Sequence, residues 1–578
     1  MRHFTDPQLR RTIESLLLSD VRQPGQYIGG ELGAVAKDPE RVRYHLALAF
    51  PDTYTIGMSH FGFQLLYTLI NRKEDWICER VFTPLPDMEN ALKSRGLPLY
   101  SLETFRPLDR FDVLGFSLQY EMSYTNVLTM LDLGRIPLDR TARAKTHPLV
   151  IAGGPCVGNP EPMSPFIDLF VIGDGEEALE QVCDFWVAVK QNFPSESRRE
   201  WLLRIAWQFP FVYVPEFYDV VYDANGRALT PKPNEPGVPE IIRPAVVDDI
   251  ERFVPSLTPI VPLIESVQDR VSLEIMRGCP GRCKFCQSTA IKRPIRTRSV
   301  ESIAQIAYQS CLNTGMSEVS LLSLSTSDYP QFEQLMTRLR ELLTPLKVSI
   351  SVPSLRVNHL LSKTMQSLTT ERSGGLTIAP EAARDEMRRR IGKPITNENL
   401  LAGCQSAFEN GFGRVKMYFM CGLPEETDAD LDGITDLAKE VTYLGKKVSG
   451  RFPVVVANVS NFVPKPHTPF ERCGMMDREA FREAHKRLKY TNKDRSFNVK
   501  YHELSLSLLE GLLSRGDRRV GKIIETVWRK GARLDSWTEH FRSDLWDAAI
   551  AESGVDADQI IHTPYGDDAK LPWGHVRF

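Results

Sequence analysis

The sequence of 578 residues has no apolar run of the roughly 18 to 20 residues needed to span a bilayer. Its first stretch, MRHFTDPQLRRTIESLLLSD, holds neither a signal-peptide core nor a cleavage site. No membrane association is expected, and the cytoplasm is the expected location. Neither sign of charge dominates, since 71 Lys and Arg stand against 74 Asp and Glu for a formal net charge of -3. That balance argues against a general polyanion binder and leaves room only for local basic patches. No internal repeat is found, which excludes a solenoid. Cysteine is scarce and scattered: of ten, only three lie close together. A reducing compartment keeps the scattered ones as thiols, so metal binding by the close trio outranks disulfide formation.

What is present is ordinary globular material, 42% hydrophobic and 25% charged. A single core stops growing near roughly 250 to 300 residues, so several domains are expected. From about 43 to 190, short β-rich runs alternate with amphipathic helical stretches: RYHLALAF, FDVLGFSL, PLVIAGGP and DLFVIGDG each end in turn residues before a helix. This predicts an α/β domain with a parallel, Rossmann-like sheet over 1–190, whose ligands belong beyond the carboxyl ends of the strands. Residues 191–265 are rich in proline, including PKPNEPGVPE, and read as a connecting segment. A second alternating region, 266–475, runs through VSLEIMRGC, EVSLLSLS, KVSISVPS, GLTIAPEA, RVKMYFMCGLP and PVVVANVSNFVPKP. Six such strands with intervening helices suit a partial (β/α)6 barrel, with Cys279, Ser325, Arg356, Glu381 and Pro424 at the carboxyl ends of strands. Residues 476–578 read as a mainly helical region.

The trio Cys279, Cys283 and Cys286 is written C-P-G-R-C-K-F-C, a CxxxCxxC spacing in which one loop turns three thiolates towards one point. Soft thiolates select iron–sulfur clusters, zinc or copper. A structural zinc wants four ligands, usually as two pairs, and no second pair follows within reach; Cys311 stands alone on a predicted helix. Three ligands instead leave one iron of a four-iron cluster open to a substrate.

CxxxCxxC after the first strand of a six-stranded partial barrel resembles the radical S-adenosylmethionine (SAM) superfamily, over about 271 to 470. The resemblance implies a 4Fe-4S cluster on the trio, SAM on the open iron, and an electron donor such as flavodoxin or ferredoxin. It also implies reductive cleavage of SAM to a 5′-deoxyadenosyl radical that takes hydrogen from a substrate. Phe285 resembles the family residue packed near the adenine. Ser323, Ser325 and Ser327 fall where the family contacts the SAM amino group. Glu381 is then a candidate for the ribose hydroxyls, and Arg384 or Arg388 for the SAM carboxylate. Gly422, in the run CGLPEET, matches the family turn after the fifth strand, where a missing side chain admits close approach.

The first domain resembles the cobalamin-binding domain that precedes many radical SAM barrels. The resemblance rests on IGMSHFGFQLLYTLIN, VLGFSLQYEMSYTNVL, VIAGGPCVGNPEP and FVIGDGEEALEQV. It implies that Gly153, Gly154, Gly173 and Gly175 admit a corrin ring. The D-x-H-x-x-G motif that supplies a lower cobalt ligand is absent: His60 has no Asp two residues before it, and a cap or surface residue at the first helix is its preferred reading. Nearly the whole chain resembles an uncharacterised bacterial group of such proteins. The expected reaction is methyl transfer to an unactivated carbon; non-methylating radical chemistry and an RNA-associated iron–sulfur binding protein are the alternatives. Residues 482 to 533 carry 14 Lys or Arg against six acidic residues, with Tyr490, Tyr501 and Trp528 interleaved. This would suit RNA, yet a solvated helical face or a domain contact is the favoured reading because the chain as a whole is slightly acidic.

Overall fold

A computed structural model describes residues 7–38, 41–353, 375–491, 494 and 496–578. The N-terminal sheet is built from β1 (Tyr44–Phe50), β2 (Trp76–Phe82), β3 (Val113–Ser117), β4 (Leu149–Gly153), β5 (Leu169–Val171) and β6 (Val212–Tyr213), in the order β2-β1-β3-β4-β5-β6. All neighbours are parallel except β5 and β6. Every residue of β3 is buried, as befits a strand covered by helices on both faces. The chain leaves β1 to one side for β2 and to the other for β3, so the order reverses between β1 and β3. Ligands of open α/β sheets bind outside the carboxyl ends at such a reversal.

β2 was not legible as a strand, because WICERVF places Glu79 and Arg80 in its middle. All seven residues are nevertheless buried. Arg80 pairs with Glu31 at 2.7 Å and Glu103 at 2.6 Å, while Glu79 accepts from the hydroxyls of Ser101 and Thr104. Charges neutralised inside the fold look like loop in a sequence. The proline-rich stretch after residue 190 also holds order: helix Arg198–Gln208 opens with a capping box between Ser197 and Glu200, and β6 then joins the sheet.

The second region is a run of parallel strands. β7 (Val271–Glu274), β8 (Glu318–Leu322) and β9 (Ser349–Ser351) pair in the order β9-β8-β7. β10 (Leu376–Glu381), β11 (Arg414–Cys421), β12 (Val454–Asn461) and β13 (Phe497–Tyr501) pair in sequence order. Arg356 lies outside the described residues. The intervening helices are ended by local signals: Val300–Thr314 starts at the cap Ser299 and stops at Gly315 with φ of 74°, and Asp428–Ser449 stops at Gly450 with φ of 75°. β13 is one strand within the mainly helical region expected after residue 476. FNVKY has only one buried residue, Phe497, so it carries no apolar run; pairing with β12 makes it a strand.

The last helices close back onto the N-terminal domain rather than standing apart. Trp528 Nε1 donates to Thr129 Oγ1 at 3.0 Å, Thr125 Oγ1 donates to Asp535 at 2.6 Å, and Trp537 Nε1 donates to Asp52 at 2.9 Å. Part of the basic stretch considered for RNA is consumed in contacts of this kind. Trp528 is 6% exposed; Arg518 is bonded to Glu161, Arg533 to Glu89 and Arg487 to Asp432. Among the described residues no helix is long and apolar enough to cross a membrane.

Candidate active site

Cys279, Cys283 and Cys286 lie on the loop that follows β7, and Cys286 is the N-cap of helix Gln287–Ile291. The loop is shaped by close backbone contacts. Gly278 has φ of 87°, and a Cβ there would stand 2.8 Å from the Lys292 carbonyl. Lys284 N–H donates to the Ile391 carbonyl at 2.9 Å, and Gly392, with φ of 75°, leaves room for the Arg282 carbonyl. Gly281 N–H donates to Cys279 Sγ at 3.3 Å, a bond that favours thiolate over thiol. Among the described residues no group of three or more His, Cys, Asp or Glu is placed to hold a single metal ion. A structural zinc wants four ligands, whereas three thiolates leave one iron of a four-iron cluster open, so this donor set suits a cluster better than zinc.

On one flank of this loop lies a small apolar cluster, separate from the main core, of Ala382, Met387, Ile391, Leu423 and Phe462 with Phe285 packed against it. It gathers the carboxyl ends of β10, β11 and β12, and several residues singled out in the sequence border it. Glu381 has the left-handed φ of 69°, and its carboxylate is bonded to Lys393 Nζ at 2.9 Å. Arg384 is half exposed and only loosely engaged by Asp430 at 3.5 Å. Arg388 is different. Its Nε reaches the Ala382 carbonyl, Nη1 reaches Asp385 and the Ile395 carbonyl, and Nη2 reaches the Ala383 carbonyl and Asn397. All five donors are used, so Arg388 is a fully buried brace with no fork left for a SAM carboxylate. Ser325 Oγ donates to Asp328 at 2.7 Å, which leaves only its lone pairs for a ligand. Gly422 has φ of 84°, gives its N–H to Glu426 at 2.7 Å, and would drive a Cβ to 2.6 Å from the Phe481 ring. Glu426 is pushed up to about 8 by burial, partly offset by that Gly422 N–H, with Asp430 adding to the rise.

On the other flank is a cavity of about 490 Å³ between the carboxyl ends of the two sheets. Its N-terminal wall is formed after β1 by Ser59–Gly62, after β3 by Ser117 and Gln119, after β4 by Gly153 and Gly154, and after β5 by Gly173–Glu176. The four glycines do two things. Gly154 (φ of 111°) and Gly173 (φ of 106°) are required by the chain itself, since a Cβ would meet the Leu118 carbonyl at 2.5 Å and the Ala245 carbonyl at 2.1 Å. Gly153 has nothing nearer than the Val171 carbonyl at 3.7 Å and simply leaves backbone bare towards the cavity. Gly175 faces Leu66 at 3.3 Å. The barrel wall comes from Glu274, Met276, Arg277 and Gly278 after β7, from Ser288 and Lys292 after the last cysteine, and from Ser323 and Leu324 after β8. His60 caps helix Phe61–Asn71, its Nδ1 accepting from Phe63 N–H at 3.1 Å. Burial drops it to about 4, so it is neutral, and its cap bond takes one ring nitrogen.

The two walls are tied by charge. Arg277 pairs with Asp174 at 3.1 Å, with Glu176 and with Glu274 at 2.8 Å, and Arg296 pairs with Asp174 at 2.6 Å. Burial opposes ionisation of Asp174, yet Arg277, Lys292 and Arg296 hold its carboxyl below the usual range.

The family model "Radical SAM superfamily" matches residues 273–438, and "Radical SAM proteins, N-terminal" matches residues 62–215; together they take in more than half of the chain. The chain belongs to the radical SAM superfamily. An uncharacterised protein of Methanocaldococcus jannaschii is 25% identical over 488 residues, covering 83% of this chain and 90% of that one. The ribosomal protein uS12 methylthiotransferase RimO of Microcystis aeruginosa is 25% identical over 177 residues, 29% of this chain and 40% of its own. Among solved structures, the radical SAM methyltransferase TsrM from Kitasatospora setae, with cobalamin and a 4Fe-4S cluster bound, aligns with a TM-score of 0.50 at 13% identity, covering 75% of this chain and 77% of that one. At that identity the likeness is one of fold.

As a radical SAM protein, the chain presents its cysteine loop between two settings: the apolar cluster with Phe285 and the cavity with the glycines. Asp174, Glu176, Glu274, Arg277 and Lys292 were not singled out from the sequence. The readable signal was the charge flanking each glycine motif, in GDGE and in MRG before the first cysteine, which only the folded pairing explains.

Proposed function

We propose that this protein is a cobalamin-dependent radical SAM enzyme that transfers a methyl group to an unactivated carbon of its substrate. The observation that carries the reading is one cavity that the glycine-bearing strand ends of the N-terminal sheet line on one side and the flanks of the cysteine loop line on the other. A flat corrin needs a wall without side chains, and Gly153 offers one where a Cβ would meet no other atom within 3.7 Å. The neutral His60 is held as a helix cap, so the reading gives cobalt no lower histidine ligand from this position.

In this reading Cys279, Cys283 and Cys286 would hold a 4Fe-4S cluster with SAM bound beside it, and a flavodoxin or ferredoxin would supply the electron. The cluster provides the reducing electron that breaks SAM to a 5′-deoxyadenosyl radical, and cobalamin provides the methyl carrier. The chain's own residues orient and shield: Phe285 and its apolar neighbours keep water from one flank of the loop. Glu381 and Arg384 stand nearby as hydrogen-bonding partners for ribose and carboxylate. Arg277, held by three carboxylates, fixes the cavity wall against the loop.

The alternative keeps the radical but makes no use of a methyl carrier, ending in oxidation, rearrangement or sulfur insertion. The test is anaerobic incubation of the reconstituted protein with SAM, a strong reductant and hydroxocobalamin, followed by analysis of SAM products. The proposal expects both 5′-deoxyadenosine and S-adenosylhomocysteine, the second requiring the corrinoid. Deoxyadenosine alone, unaffected by corrinoid, selects the alternative.

A further inference from the structure

A second concave surface lies away from the cavity, where helix Arg478–Thr491 packs beside β13 at the rim of the barrel. It encloses about 580 Å³ and is lined by four cations of that one helix, Arg478, Arg482, Lys486 and Lys489. These recur at intervals of four, four and three residues, so they form a row along one helix face with steps of about 5 to 6 Å. That is comparable to one step of an extended nucleotide chain. Arg482 and Lys486 have exposed partners in Glu479 and Glu483, pairs that solvent leaves weak. The cleft's own carboxylate, Glu503, is turned to cap the next helix, accepting from Leu506 N–H at 2.8 Å.

The strand β13 adds one aromatic ring to the cleft. Tyr501, at the end of β13, stacks on His485 with ring centroids 4.9 Å apart and planes within 20°, and remains 39% exposed. His485 is held in place by a 2.8 Å bond between its Nε2 and Asn461 at the carboxyl end of β12, and burial lowers its pKa, so the stack is a fixed, neutral platform. Tyr490, beyond Lys489, is 72% exposed. A row of cations beside an open aromatic face matches a chain with anionic links and flat rings; an acidic peptide would use the cations and leave the platform idle.

We infer that this cleft binds single-stranded RNA, its phosphates along Arg478, Arg482, Lys486 and Lys489 and a base on Tyr501. The inference stands apart from the cobalamin reading, because it concerns different residues and is read without catalysis.

The test is fluorescence anisotropy of the full-length protein with a labelled mixed-sequence oligoribonucleotide, titrated over a range of salt. The variant R482A/K486A/K489A is expected to weaken binding at least tenfold and to lower the salt slope by about two, since each single-strand phosphate contact contributes about 0.7. Tyr501→Ala is expected to weaken it about tenfold with the salt slope unchanged. R529A/K530A/R542A, which removes the same charge from exposed sites elsewhere, is expected to bind as the unaltered protein does. Thermal melting establishes that each variant is folded. The inference is overturned if the cleft and control triple variants bind alike, if the unaltered protein does not bind at low salt, or if polyglutamate of equal charge competes as well as the oligonucleotide.

Discussion

The two walls of the central cavity are made of different material. The N-terminal wall mixes bare glycine backbone after β4 and β5 with apolar side chains such as Leu66 and Ile151 and the carboxylates Asp174 and Glu176, whereas the barrel wall carries the cations Arg277 and Lys292 beside the thiolate loop. Bare backbone leaves room beside the strand ends; ion pairs fix the wall they join. The difference teaches that room and fixed cations come from separate sheets, joined where Arg277 and Arg296 grip Asp174.

The comparison can be broken most completely from the barrel side. Cys283→Ala removes one of three cluster thiolates and is expected to reduce 5′-deoxyadenosine to background with the N-terminal domain still folded, as checked by product chromatography and melting. Arg277→Met strikes the joint. It leaves Asp174, Glu176 and Glu274 facing one another without their shared cation, and a loss of about 3 kcal/mol of stability is expected in denaturant titration. On the backbone side, Gly173→Ala forces a Cβ to 2.1 Å from the Ala245 carbonyl at φ of 106°, with an expected cost of about 3 kcal/mol in the same titration.

The smallest effect lies at the far flank. Glu426 is raised to about 8 in the folded protein and has an ordinary carboxyl value when unfolded, so the folded state binds more protons between the two values. The stability this carboxyl contributes is therefore present in acid and lost as pH rises through about 8. Glu426→Gln is expected to flatten that decline and to raise Tm at pH 9 by roughly one or two degrees, read from melting curves at pH 5 and 9.

Much of this could be read from the sequence because it is written in short local patterns. The strands of the first sheet end in turn residues, and the cysteine spacing names its chemistry through ligand number alone. β2 was hidden because Glu79 and Arg80 find their partners 20 or more residues away, and β13 because a mostly solvated strand needs no apolar run. Arg388 shows the limit at the level of one side chain. Its position in ARDEMRRR says only that it is basic; five satisfied donors make it a brace, a fact that exists only once the turn around it has closed. The basic C-terminal stretch divided in the same way, with Arg518 and Arg533 spent on the N-terminal domain and the face from Arg478 to Lys489 left open.

The most direct test of the central claim is equilibrium retention of hydroxocobalamin by the unaltered protein and by Gly153→Leu, measured by corrinoid absorbance after exhaustive dialysis. A leucine there has open space to enter but fills the bare wall. The account predicts about one corrinoid retained per unaltered chain and at least a tenfold weaker hold by the variant, with cluster absorbance and melting unchanged. Equal retention by both proteins, or none by the unaltered one, would contradict it.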